Sequence, residues 1–194
     1  MPNMIQVLED RAMSTFRSYP VFDMLIKESL YTASMTFRSK GVFPWPPGVL
    51  VCCMGNTQTP FIIEEIVYES DGICEVRASS VWEALKRKSK GGWFYKYRDK
   101  NPWQDTINPF EVLNGTLDSI NTDKNRWFPF WVKLNYNGER PAYDIDFDPS
   151  ASVYDDIYAA ALYNQMYFKS FVLPTEDIPS NITVWLELRS LNTS

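Results

Sequence analysis

The chain has 194 residues, 45% of them hydrophobic and 15% aromatic, a formal net charge of −5 and no histidine. This composition suits a globular fold of one-domain size and excludes a disordered chain. An acidic whole is matched to a basic protein partner rather than steered to nucleic acid, and without histidine there is no Ser–His or Cys–His nucleophile pair and no zinc site of the usual kind.

Residues 4–40 read as mostly helical, because Phe22, Leu25, Ile26, Leu30 and Met35 fall near helical spacing after the break at Ser18-Tyr19-Pro20. The segment Gly41 to Val49, with three prolines around Trp45, forbids helix and favours an extended turn. Residues 49–55 and 60–70 read as strands joined by a short loop, and 73–79 as a third strand, the outline of an antiparallel meander. Residues 80–89 have a helical look, with Ser80 as cap and Glu83 as its capping-box partner. After the glycine-bounded aromatic block 90–106, residues 107–125 are rich in Asn, Asp and Gly and read as loop with a short helix. Residues 126–136 and 140–149 read as two strands paired through the turn Asn137-Gly138-Glu139. Residues 155–168 suit helix by their alanines and strand by their tyrosines, and 181–188 read as a closing strand. No repeat is present. The expected fold is α+β over a single domain 1–194, with a helical N-terminal region, residues 1–40, packed on a mainly antiparallel sheet in 41–194.

The three cysteines, Cys52, Cys53 and Cys74, cannot all pair within the chain. Cys52 and Cys53 are adjacent, so in a strand they point to opposite faces, and free thiols in a reducing compartment are the plain reading. The first residues lack the shape of a signal peptide, and no window approaches the roughly 18 apolar residues of a membrane span. The expected location is cytoplasmic.

Two constellations carry chemistry. In a strand, Asp144, Asp146 and Asp148 share one face, with Tyr143, Ile145 and Phe147 on the other. Three like charges in a row repel unless a basic partner or a cation answers them, and a solvated outer face is the plain alternative. Counted as a calcium loop from Asp144, position 6 is Pro149 where glycine is needed, so no metal is assigned. The second constellation is basic: Lys86, Arg87, Lys88, Lys90, Lys96, Arg98 and Lys100, interleaved with Trp93, Phe94, Tyr95 and Tyr97. Cations beside stacking rings suit single-stranded nucleic acid, and here the alternative is a solvated helix end followed by an amphipathic strand. No phosphate-cradling glycine motif appears, and no catalytic residue or cofactor is assigned.

Residues 126–150 resemble the central signature of the SMI1/KNR4 family, or SUKH superfamily. Trp127, Phe128, Pro129 and Phe130 match its first strand, Asn137 and Gly138 its turn, and Asp146, Phe147, Asp148 and Pro149 its acidic end; Ser170 and Phe171 fall in a fainter closing segment. The resemblance implies an α+β binding module without catalysis. Many bacterial members are similar to immunity proteins that neutralise a toxin, often a nuclease. The expectation is therefore a non-enzymatic protein-binding module that occludes the basic surface of a cognate toxin, with Asp144, Asp146, Asp148, Asp155 and Asp156 facing that partner. The alternative is a nucleic-acid-binding accessory protein using Lys86, Arg87, Lys88, Lys90, Trp93, Tyr95, Lys96 and Arg98.

Overall fold

A computed structural model describes residues 3–8, 16–53, 59–88, 106–120, 128, 130–137, 141–146, 148, 150–174 and 182–192. The first half of the chain forms strands: β1 (Asn3–Leu8), β2 (Phe16–Glu28), β3 (Ala33–Lys40), β4 (Leu50–Cys53), β5 (Pro60–Tyr68) and β6 (Ile73–Ser80). They close into a barrel in the order β1-β2-β3-β6-β5-β4. All its ladders are antiparallel, and β1 closes on β4 through Ile5↔Cys53 and Val7↔Val51.

This overturns the expected α+β arrangement with N-terminal helices packed on a sheet: strands come first, and residues 4–40 carry no helix among the described residues. The cause is visible in the packing. Along β3, Met35, Phe37 and Ser39 are buried and their neighbours are not, which is a period of two. In β2 a bulge between Phe22 and Leu25, with Asp23 at φ 49°, breaks that period. The shift in parity is what makes Phe22, Leu25, Ile26 and Leu30 look helical. Leu25 and Leu30 are in fact 51% and 47% exposed while Met35 is buried in the barrel, so these residues share no one core face.

The expected hairpin β4–β5 and the following strand β6 are present. The proline-rich segment 41–49 holds no helix, runs through bends and a turn, and packs into the barrel. Gly41 turns at φ 75° and donates its N–H to Gly72 O at 2.7 Å. Phe43 and Trp45 then insert into the interior, where Tyr19 meets both edge-on at 5.5 and 5.1 Å.

After the barrel, Ser80 caps the short helix α1 (Val81–Ala84), accepting from Glu83 N at 3.4 Å, and a single 3-10 turn, Leu85–Arg87, follows. Then come β7 (Thr106–Ile107), α2 (Pro109–Ile120), β8 (Trp131–Asn137), β9 (Ile145–Asp146), α3 (Val153–Tyr163), β10 (Met166–Pro174) and β11 (Ile182–Ser190). The segment 155–168 is both of the elements it suggested, helix and then strand. The order β10-β11-β8 makes a three-stranded sheet, antiparallel between β10 and β11 and parallel between β11 and β8. The expected hairpin between residues 126–136 and 140–149 does not form among the described residues. β8 pairs with β11, and β9 pairs with β7 through Thr106↔Asp146. Val132, Leu134, Phe168, Val184, Leu186 and Leu188 turn one face of this sheet into a core shared with α2 and α3.

The two cores meet at α1. Trp82 stacks on Phe168 with ring centroids 4.3 Å apart, and its indole N–H donates to Lys169 O at 2.7 Å. Phe168 N–H donates to Leu30 O at 2.9 Å, and Tyr154 O–H to Tyr31 O at 3.2 Å. The β2–β3 turn is thereby tied to β10 and α3. Among the described residues, no helix is long and apolar enough to cross a membrane.

Candidate protein-docking site

Two asparagines place the segment 141–144. Asn108 caps α2: its side-chain oxygen accepts from Phe110 N at 3.1 Å and Glu111 N at 3.4 Å, ahead of Pro109 at the first helical position. Its amide nitrogen donates to Pro141 O at 3.0 Å. Asn164, the C-cap of α3, accepts from Ala142 N at 3.2 Å and donates to Ala160 O at 2.7 Å. Tyr143 therefore lies against Tyr163, ring centroids 4.6 Å apart and inclined at 35°. Asn108, Pro141, Ala142, Tyr143, Asp144 and Tyr163 line an open groove of about 600 Å³. Tyr163, the last residue of α3, is 68% exposed.

The expected alternation holds over 143–146, and Phe147 lies outside the described residues. Tyr143 and Ile145 are half-buried against the core, while Asp144, Asp146 and Asp148 are exposed. Their surroundings differ. Asp144 sits at the groove's lip and Asp146 in the short β7–β9 ladder. Asp148 folds back on its own turn, accepting from Ser150 N at 2.9 Å and Ser150 Oγ at 2.6 Å. Asp155, although exposed, completes a capping box with Ser152: Asp155 N donates to Ser152 Oγ at 3.1 Å, and Ser152 N to Asp155 Oδ2 at 3.4 Å. Asp156 corrects the expectation outright. It is 7% exposed, on the inner side of α3, so it cannot face a partner. Among the described residues, no group of three or more Cys, Asp or Glu is placed to hold a metal ion.

The described members of the basic constellation are engaged within the chain. Lys86 pairs with Glu83 at 3.4 Å and lies 4.7 Å from the centre of the Tyr154 ring. Arg87 pairs with Glu64, which also accepts from Ser79 Oγ. Lys88 lies over the Phe128 ring, and burial, helped by the Arg87 charge, pushes its ammonium below the usual lysine range. Lys90, Trp93, Phe94, Tyr95, Lys96, Tyr97, Arg98 and Lys100 lie outside the described residues. On the barrel wall, Arg38 pairs with Glu69 and Asp23, and Arg77 with Glu65 and Glu75, so that surface balances much of its own charge across strands.

The groove is not legible as such in the sequence. Asn108-Pro109 and Ser152-x-x-Asp155 are readable helix-start signals, but Tyr163 is 20 residues from Tyr143, and only the fold joins them.

No family model and no curated protein matches the chain. Solved structures do. The chain is similar to the tail protein from Neisseria meningitidis MC58, at 12% identity and a TM-score of 0.53, covering 95% of this chain and 50% of that one. It is similar also to the 43 kDa tail protein of prophage MuSo2 from Shewanella oneidensis, at 13% identity and a TM-score of 0.50, covering 95% of this chain and 55% of that one. At such identities the likeness is one of fold, and this chain spans about half the length of each of those proteins.

Proposed function

We propose that this chain is a non-enzymatic structural subunit of a phage-tail-like assembly, working in the cytoplasm by docking other proteins. The observation that supports this most is the likeness of fold to two tail proteins over 95% of the chain. The exposed Asp144 and Asp146, the Tyr143–Tyr163 groove and the net charge of −5 suit contact with a basic protein surface.

The same exposed aspartates also suit neutralisation of a basic toxin, the function that the SMI1/KNR4 resemblance implies. Among the described residues, β8 and β9 of that segment pair with other strands, which does not favour the resemblance. The two readings separate by purification of tail-like particles from the source cells, with mass spectrometry of particle and soluble fractions. Assembly predicts the chain in the particles at a fixed ratio to the other components. Its absence from them, together with recovery of a stoichiometric complex in which a nuclease no longer cleaves, would replace assembly with neutralisation.

A further inference from the structure

The geometry points to the Tyr143–Tyr163 groove as a receptor for an arginine or lysine side chain presented by an extended basic segment of a protein partner. Three features of different origin favour a cation at one place. Tyr163, 68% exposed and leaning on Tyr143 with ring centroids 4.6 Å apart, offers an aromatic ring at the groove wall, and aromatic rings attract cations. Asp144 puts an exposed carboxylate at the groove, and none of the described residues that line it is basic. The third feature is α3, an 11-residue helix whose final residue, Tyr163, lines the groove. A helix C-terminus carries partial negative charge, and the last turn of α3 holds no basic residue to offset it. Each of these alone is common on a protein surface. Together, on a chain of charge −5, they leave a cation as the complementary occupant.

The volume suits a side chain with some of its backbone. About 600 Å³ lies within the range of small-ligand sites and exceeds what one guanidinium fills, so flanking residues of the segment fit alongside. The walls are held in place before binding. Asn108 ties Pro141 to the start of α2, and Asn164 ties Ala142 to the end of α3, so little ordering is needed on docking. An arginine suits the site better than a lysine, because its plane stacks on tyrosine while its N–H fork reaches a carboxylate.

This deepens the assembly reading by naming the chemistry of a partner, and its test is independent of particles. The probe is a pair of blocked hexapeptides, Gly-Ser-Arg-Gly-Arg-Ser and the same sequence with citrulline for arginine, titrated into the ¹⁵N-labelled chain and followed by amide chemical shifts. The expected result is saturable shifts at Tyr143, Asp144 and Tyr163 with the arginine peptide, at least fivefold weaker with citrulline. Binding falls at least fivefold in Asp144→Asn and in Tyr163→Ala, both exposed positions whose substitution leaves the core untouched, and weakens with added salt. Equal response to the two peptides, shifts centred elsewhere, or full binding by the Asp144→Asn, Tyr163→Ala double variant would overturn the inference. Arginine binding at the groove by a chain absent from tail particles would remove the assembly reading and leave this one standing.

Discussion

Tyr154 shows how one side chain carries both packing and a measurable signature. It is 6% exposed, stacks on Tyr158, meets Phe168 edge-on and donates its hydroxyl to Tyr31 O. Burial, followed by the charge of Glu83, pushes its phenol up to about 12 from the usual 10.0. The folded value lies above the unfolded one, so the neutral phenol stabilises the fold fully below pH 10 and loses that contribution as pH rises toward 12. Ultraviolet titration is expected to show a tyrosine still protonated at pH 11, and Tyr154→Phe to remove that late step. The same variant loses the bond to Tyr31 O and costs about 1 kcal/mol by urea denaturation. In the sequence, Tyr154 is one of several tyrosines around an ambiguous segment. Its burial follows from α3 lying across the β2–β3 turn, which no local pattern encodes.

Helix boundaries are the most legible elements, because caps are local chemistry. Ser80 with Glu83 can be read from spacing alone, and the structure keeps the Ser80 half of that motif. Ser152 with Asp155 follows the same logic, although in the sequence Asp155 reads first as a member of an acidic face. The consequence is testable: Ser152→Ala is expected to cost about 1 kcal/mol, lowering Tm by roughly 2–4 °C in a chain of this size. Asp155→Ala should likewise lower Tm while leaving the affinity of the arginine peptide unchanged; a loss of that affinity would restore Asp155 to the docking surface. Strand β2 misleads for the opposite reason. One bulge residue, Asp23, inverts which side chains face inward, and a bulge depends on the ladder to β3. Residues without that interruption, such as Ile73–Ser80, keep a clean alternation and are legible as strand.

At the scale of the molecule, the barrel core around Phe37, Phe61 and Trp45 is distinct from the core between the helices and the β10-β11-β8 sheet, and Trp82 of the latter lies on α1, which packs against β5 and β6 as well as β10. Trp82→Ala is expected to cost about 3–5 kcal/mol. Hydrogen exchange should show amides of β10 losing protection before those of β3 and β6; uniform loss across both cores would show that the seam has no separate stability. The sequence by itself determined the globular class, the acidic balance, the exclusion of histidine-based chemistry, the β4–β5–β6 run and the outward aspartates of 144–146, since each depends on composition or on contacts between near neighbours. Only the tertiary structure decided that β1, β2 and β3 are barrel strands and that β8 and β9 pair with different partners. It also decided that Asp156 turns inward and that Tyr143 meets Tyr163. Each of these rests on which distant strand or helix is brought alongside, and a period of two or 3.6 says which face is apolar but not what covers it.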